Sequence, residues 1–231
     1  MARVNVVCEG PTESRFISDV LAPYFWHRGI YMTPTLLGVP GHKGGRVNYT
    51  RVQKDILLQL KQDANVYCST IFDLYGLETG FPGTAPASGF ASAQKAVQIE
   101  NAILQQIVSI APHLRADVRL IPYLQVHEYE GLLFSDTTAF AVALGQAHLA
   151  AQLAQIRNGF ATPEDINDDP NSAPSKRVVG VYRQYNKVIE GTLAAQRIGI
   201  DRMLAECPHF RTWIERLAAL PPDTSYPVSP R

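Results

Sequence analysis

Short apolar runs alternate along the chain with segments whose apolar residues recur every three or four positions. Residues 4–8 and 66–72 are apolar or β-branched almost throughout, which predicts two buried strands. The spacing of apolar residues after Thr12 and over 49–62 predicts amphipathic helices. The same reasoning predicts strands at 35–39 and 117–124, and helices at 93–110, 131–134, 137–144, 147–158, 178–195 and 200–220.

This alternation of strands and helices predicts an α/β fold with a mostly parallel sheet and helices on both of its faces. We assign residues 1–145 to the α/β core and 146–220 to a helical C-terminal extension packed on that core. Residues 221–231 contain four prolines and form a predicted extended tail.

Composition narrows the class of protein. Among 231 residues, 46% are hydrophobic and 18% charged, as in a soluble globular protein. The 21 basic and 21 acidic residues cancel, so binding to nucleic acid requires a local basic patch. Cys8, Cys68 and Cys207 form no C-x-x-C pair, which disfavours a disulfide framework or structural zinc. No signal region or membrane-spanning run is evident, and we expect a cytoplasmic protein.

Acidic residues follow three of the predicted strands. Glu9 and Glu13 come after the first, Asp73 after the strand at 66–72, and Glu128 and Glu130 after the strand at 117–124. Carboxyl ends of parallel strands meet at one edge of a sheet, so these side chains should converge. Any one of them alone is more often a helix cap or turn residue. Together they favour a site for Mg²⁺ or Mn²⁺, which prefer oxygen ligands.

A glycine-rich basic loop provides a candidate contact for phosphates. His42, Lys43 and Arg46 lie among three glycines, and we predict that they bind nucleic acid. An ordinary surface loop explains the same composition equally well. The loop is not a Walker A motif, and the chain contains no H-E-x-x-H, G-x-S-x-G or G-x-G-x-x-G pattern.

Several of these segments resemble known motifs. VVCEGPTE at 6–13 resembles the first Toprim motif, and its Thr-Glu ending is similar to overcoming-lysogenization-defect (OLD) nucleases. IFDLYG at 71–76 lies where the Toprim Asp-x-Asp motif is expected. EYEGLLFSD at 128–136 and PSKR at 174–177 are similar to a bacterial Toprim-like family often encoded beside ABC-type ATPases in defence loci. The resemblance spans roughly residues 1–180 in scattered motifs.

The resemblance implies a Toprim-like core and assigns roles by position. Glu9 would be a metal ligand or general acid/base, and Asp73 a metal ligand. Glu13 and Glu130 would be further metal ligands, and Lys176 would stabilise charge on a phosphate.

One position departs from the pattern, because Tyr75 stands where the second aspartate is expected. Tyrosine is a poor ligand for Mg²⁺, so the number of metal ions, one or two, stays open. Glu128 or Glu130 is the candidate replacement for the missing acid.

These features favour a metal-dependent nuclease acting on DNA or RNA, and the resemblance adds an ABC- or AAA-type ATPase partner and a bacterial defence context. The main alternative is a non-catalytic module with a degenerate metal site that binds nucleic acid or an ATPase. A third hypothesis is another phosphoryl-transfer activity, primase-like or directed at nucleotides. A homo-oligomer also stays an open alternative.

Overall fold

A parallel sheet forms the centre of the computed structural model, which describes residues 1–38, 47–84, 89–166 and 172–221. Its strands in chain order are β1 (Ala2–Cys8), β2 (Ile30–Leu36), β3 (Val66–Asp73), β4 (Leu120–Ile121) and β5 (Leu124–Gln125). The spatial order is β2-β1-β3-β4, and β5 pairs with the carboxyl end of β3. Every pairing is parallel, so the strands share one carboxyl edge.

Helices connect the strands and continue after the sheet. In chain order they are α1 (Pro11–Phe16), α2 (Ala22–Trp26), α3 (Tyr49–Gln62), α4 (Ser92–Ile110), α5 (Ala116–Arg119), α6 (Glu130–Leu133), α7 (Thr137–Ala143), α8 (Ala150–Arg157), α9 (Pro174–Val181), α10 (Ile189–Ile198), α11 (Ile200–Glu206) and α12 (Pro208–Ala218). A π-helical turn, Ile17–Leu21, joins α1 to α2, and short 3₁₀ turns lie at Leu74–Gly76, Pro112–Leu114, Ala147–Leu149 and Pro163–Asp165.

The two faces of the sheet bury separate apolar cores. Alternate β1 residues such as Val4 and Val6 join one core, whereas Val7 joins the other, as the period of two in a strand requires. The first core is completed by α1, α2 and the C-terminal helices, and the second by α3 and α4. This arrangement confirms the predicted α/β class, with a mostly parallel sheet, helices on both faces and a helical C-terminal segment.

The C-terminal helices pack directly on the sheet. Trp213 of α12 stacks on Tyr123 with ring centroids 4.1 Å apart, and its indole nitrogen donates to Ser69 Oγ of β3 at 2.9 Å. These contacts support a C-terminal helical layer, while the boundary at residue 145 stays a prediction. None of the helices within the described ranges is long and apolar enough to cross a membrane.

The third predicted strand, at 117–124, is interrupted in the structure. Residues 116–119 form the helical turn α5, and Pro122 separates the two-residue strands β4 and β5. Proline has no N–H for the ladder, which explains the interruption. Arg119 secures the turn by donating to the Leu114 and Val66 carbonyl oxygens at 2.9 Å each.

The predicted helix at 178–195 also divides, into α9 and α10. Asn186 Oδ1 accepts from Ile189 N at 3.0 Å, and Glu190 Oε2 accepts from Asn186 N at 2.6 Å. This reciprocal pair resembles a capping box and starts α10 anew. Lys187 therefore lies between two helices rather than within one.

Candidate functional site

The predicted acidic residues meet at the carboxyl edge of the sheet. Glu9 follows β1 and Asp73 ends β3, and these two strands are neighbours. Asp73 N donates to Glu9 Oε2 at 3.1 Å, which joins the two strand ends directly. Asp73 Oδ1 accepts from Tyr129 N at 3.0 Å, which ties in the turn before α6. The convergence expected from the sequence is therefore present for these residues.

Glu13 and Glu128 are anchored by the starts of two helices. Glu13 Oε2 accepts from Gly10 N at 3.0 Å, at the beginning of α1. Glu128 Oε2 accepts from Ser175 N at 2.9 Å, in the first turn of α9. The positive ends of these helices suit a carboxylate, so both groups also have the capping role weighed above.

Lys187, which the sequence did not single out, provides the cation of this cluster. Its Nζ lies 3.3 Å from Glu130 Oε2, 3.4 Å from Asp73 Oδ2 and 4.0 Å from Glu13 Oε1. One ammonium group is thus shared by carboxylates from three separate elements. Lys187 could not be singled out from the sequence, because the apolar pattern at 178–195 continues through the break between α9 and α10 where this lysine lies.

Glu130 is the most deeply buried acid of the cluster. Its side chain is fully buried, and neither carboxylate oxygen makes a hydrogen bond of good geometry among the described residues. The Tyr185 hydroxyl is a neighbour, since burial and then Glu130 raise the pKa of that hydroxyl. Its ion pair with Lys187 is the contact that offsets the burial of its charge. A buried carboxylate is costly without further partners, so either a proton or an additional cation would stabilise this position.

A glycine creates the space for Glu9. A Cβ atom at Gly76 would lie 2.9 Å from Glu9 Oε1 and 3.0 Å from Oε2, so any other residue here would displace the Glu9 carboxylate. The segment from Asp73 to Gly76 therefore supplies both a carboxylate and the room for a second one.

Burial and mutual repulsion shift the acidity of the cluster. Burial raises the pKa of Glu9 to about 7, with Glu13 and Glu128 adding to the effect, and the Asp73 N–H and Lys187 opposing it. Burial likewise raises the pKa of Asp73 well above its ordinary value. Burial also raises the pKa of Glu130, against the attraction of Lys187. The cluster thus contains more potential negative charge than one ammonium balances.

The pKa of Lys187 moves in the opposite sense. Burial alone favours the neutral amine, but Asp73 and Glu130, followed by Glu13 and Glu128, raise its pKa above the ordinary value. The neighbouring carboxylates therefore favour the protonated, cationic form of Lys187.

The donor set suits a hard cation, although the side chains are arranged around an ammonium. No group of three or more His, Cys, Asp or Glu side chains in the described ranges already has the geometry of a metal site. The oxygens lie 3.3–4.0 Å from Lys187 Nζ, whereas Mg²⁺ takes ligands at about 2.0–2.1 Å. Carboxylate oxygens are the right chemistry, and those of Glu130 lack hydrogen bonds of good geometry among the described residues, so the residues fit a divalent ion in place of Lys187.

The remaining predicted residues lie outside this centre. Lys176 is exposed in the first turn of α9, next to the Ser175 amide that binds Glu128. His42, Lys43 and Arg46 fall outside the described residues. Tyr75 packs on His127, with ring centroids 4.9 Å apart.

The fold and this edge define an α/β protein whose parallel sheet ends in a buried acidic centre. We use this name for the carboxylates of Glu9, Glu13, Asp73, Glu128 and Glu130 together with Lys187. A family model described as a domain of unknown function, DUF4276, matches residues 8–218, and the chain belongs to that family.

Solved structures with a similar chain trace come from OLD proteins. The C-terminal region of the Burkholderia pseudomallei OLD protein is 14% identical with a TM-score of 0.45, covering 94% of this chain and 98% of that one. The C-terminal region of the Xanthomonas campestris pv. campestris OLD protein is 13% identical with a TM-score of 0.40, covering 94% and 95%. No curated protein sequence matches the chain.

Proposed function

We propose that the chain is a Toprim-type nuclease that hydrolyses phosphodiester bonds in DNA or RNA with the help of Mg²⁺ or Mn²⁺. The observation that supports this most is the convergence of Glu13, Asp73 and Glu130 on the Lys187 ammonium. Glu9 joins this group by accepting a hydrogen bond from the Asp73 amide. The motif resemblance at 6–13 and 71–76 points to the same activity.

Asp73 and Glu130 are the principal proposed ligands, because both already face the shared cation. Glu9 is proposed as a ligand or as the group that accepts and returns a proton. Its pKa of about 7 suits proton transfer near neutral pH. Glu13 and Glu128 complete the negative field. A divalent ion held here would neutralise charge on the phosphate and polarise its oxygen.

Lys187 is proposed to hold the place of the metal until it binds. The ammonium balances the same oxygens that a divalent ion would use, so both cannot occupy that position. Once displaced, the Lys187 ammonium, which lies on the segment between α9 and α10, is available to bind the phosphate of the substrate. Lys176 and the loop containing His42, Lys43 and Arg46 are the other proposed phosphate contacts.

The biological setting is proposed from the motif resemblance alone. It suggests a cytoplasmic protein in bacterial defence with an ABC- or AAA-type ATPase partner. A partner that grips DNA would supply affinity that a chain of zero net charge lacks.

The test is Mn²⁺-dependent cleavage of circular DNA, single-stranded DNA and structured RNA by wild type, Glu9→Gln and Asp73→Asn. These replacements keep an oxygen acceptor for the Asp73 and Tyr129 amides, so the local hydrogen bonds can persist. We expect activity to fall at least about 100-fold in each, since even residues behind metal ligands cost about 10–100-fold. The matched control is Glu215→Gln, an exposed acid on α12.

A non-catalytic binding module is the second candidate, favoured by the intrinsic cation Lys187 and by Tyr75 at the position of an expected acid. Calorimetric titration with Mn²⁺ separates the two. If wild type binds Mn²⁺ and cleaves nucleic acid, and Asp73→Asn loses both activities, the nuclease proposal is supported. Metal binding without cleavage indicates that a partner is required. If the protein neither binds Mn²⁺ nor cleaves nucleic acid, the nuclease proposal is contradicted and the binding module remains.

A further inference from the structure

Tyr75 occupies a distinctive position beside the acidic centre. It lies in the 3₁₀ turn Leu74–Gly76, directly between Asp73 and the glycine that makes room for Glu9. Asp73 and Tyr75 are two residues apart, at most about 7 Å along the backbone. Tyr75 therefore lies a short distance along the chain from the strand end that carries Asp73.

The ring of Tyr75 is supported on one side and accessible elsewhere. It packs on the His127 ring at 4.9 Å with an interplanar angle of 33°, yet 43% of the residue is exposed. His127 is buried and has a left-handed backbone with φ of 61°. Such a conformation is uncommon outside glycine and is held only where surrounding structure imposes it. The supporting ring is therefore fixed, and Tyr75 is preorganised as an aromatic surface.

A cavity of about 400 Å³ borders this surface. Its walls combine the apolar side chains of Leu77 and Ile99 with polar groups that include Ser92, one acid, Glu78, and one base, Lys95. Ser92 and Lys95 lie in the first turn of α4. The helix dipole does not stabilise a positive charge at this end of a helix. A volume of this size with a mixed apolar and polar lining is typical of a site for a small ligand, and a nucleobase falls in that class.

We propose that Tyr75 is a stacking platform for an unpaired nucleobase of the strand whose phosphate lies at the acidic centre. This inference rests on the proposed nuclease function and names its substrate class, single-stranded or locally unpaired nucleic acid. A base inside a duplex is already stacked on both faces and must leave the helix to reach Tyr75. Aromatic platforms of this kind accept any base, because every base has a π face.

The proposed stacking role explains why a tyrosine replaces the expected acid at position 75. The motif resemblance places an aspartate there, and tyrosine instead gives up a metal ligand for a contact to the base. Tyrosine offers a large contact area while restricting only two side-chain torsions.

The experiment measures binding of short single-stranded oligonucleotides containing 2-aminopurine, as DNA and as RNA, in EDTA and in Ca²⁺. The variants are Tyr75→Ala, Tyr75→Leu, Tyr75→Phe and Tyr75→Trp, and fluorescence reports stacking of the probe base. The matched control is Tyr31→Ala, because Tyr31 is 50% exposed, also packs on an aromatic ring, and lies near the opposite end of the sheet. Thermal unfolding of each variant checks that it folds.

We expect Tyr75→Ala to weaken single-strand binding about tenfold and to abolish the stacking signal. Phe and Trp should stay within about twofold of wild type, whereas Leu, which has bulk without a π face, should resemble Ala. Duplex binding should not change. A difference between the DNA and RNA arms identifies which strand is preferred.

Equal affinities for Tyr75→Ala and Tyr31→Ala, or no wild-type binding to any oligonucleotide, would overturn the platform. The outcomes for the two proposals remain separate. Cleavage that is the same in wild type and in the Tyr75 variants rejects the stacking platform and leaves the nuclease proposal standing. Tyr75-dependent stacking without cleavage by wild type keeps the platform and rejects the nuclease.

Discussion

Among the residues that the structure describes, buried carboxylates form two groups that differ in how their charge is satisfied. In the first, Glu164 accepts from His209 N and Phe210 N at 2.9 and 2.8 Å, and so caps α12 with both oxygens. Glu100 Oε1 accepts from Leu124 N at 2.8 Å and lies 2.9 Å from His209 Nε2. In the second, the acidic centre, Glu130 makes no hydrogen bond of good geometry among the described residues and depends on Lys187.

The difference separates a structural role from the functional role that we propose. The Glu100–His209–Glu164 group joins α4, β5 and α12 by well-formed hydrogen bonds, which is how buried acids usually stabilise a fold. The acidic centre has several carboxylates, one ammonium and raised pKa values, and we expect such an arrangement to accept a second cation. Three predictions test this contrast, beginning with the largest expected effect.

Stability without metal should depend on pH in a direction set by the acidic centre. Because the folded pKa of Glu9 is about 7 against 4.5 ordinarily, the folded state binds more protons than the unfolded state between these values. The stabilisation is complete below about pH 4.5 and is lost as pH rises through about 7. At about 1.4 kcal/mol per pKa unit, the loss reaches about 3 kcal/mol.

Urea unfolding in EDTA across this range measures the effect. Glu9→Gln should flatten the dependence, Glu215→Gln should leave it unchanged, and Mn²⁺ should restore stability at the higher pH. Stability that rises with pH in wild type would contradict the picture of uncompensated carboxylates.

Lys187→Met should reveal the exchange between ammonium and metal. Without metal the variant should lose about 2 kcal/mol, less than the ~3–5 kcal/mol of a fully buried broken pair, because the Lys187 side chain is 34% exposed. Its affinity for Mn²⁺ should increase at least about tenfold, since a competing charge has gone. Unfolding with and without Mn²⁺ and calorimetry measure both quantities.

The control for this variant is Lys61→Met, an exposed residue in the last turn of α3. Unchanged or weaker Mn²⁺ affinity in Lys187→Met, with wild type still binding metal, would show that the lysine does not compete with the ion.

Matched glutamine replacements in the two groups should have effects of opposite sign. At slightly alkaline pH in EDTA, Glu164→Gln should cost about 1–2 kcal/mol, because an amide presents one acceptor oxygen to two backbone N–H groups. Glu130→Gln should stabilise by about 1 kcal/mol, because it removes an excess buried charge. Stabilisation by Mn²⁺ should persist in Glu164→Gln and vanish in Glu130→Gln. Destabilisation by both variants, with equal responses to Mn²⁺, would remove the distinction between the groups.

Much of the fold was predictable because the pattern of β1 and β3 is local. Residues 4–8 and 66–72 form apolar runs, and each is followed by an acidic residue at a turn. These runs, with the rule that parallel strands share one carboxyl edge, were enough to bring Glu9 and Asp73 together. The short strands β4 and β5 were predicted as one, because Pro122 interrupts an apolar run without changing its pattern.

The rest of the site depends on tertiary structure. Lys187 is distant in sequence from the acids it contacts, and the local signal, Asn186 with Glu190, competes with a continuous helical pattern. The complete burial of Glu130 results from packing of elements far apart in the chain. The support of Tyr75 by His127 is likewise invisible in a pattern of single residues.

The three cysteines have a practical consequence for studying how the molecule opens. All are buried free thiols. Burial raises the pKa of Cys68 to about 12 and raises those of Cys8 and Cys207 as well, so we expect all three to be unreactive while the protein stays closed. Cys8 and Cys68 report from the central strands and Cys207 from the junction of α11 and α12. Alkylation rates at these positions therefore time the exposure of the sheet and of the C-terminal helices independently, and reveal whether the two separate as distinct cooperative units.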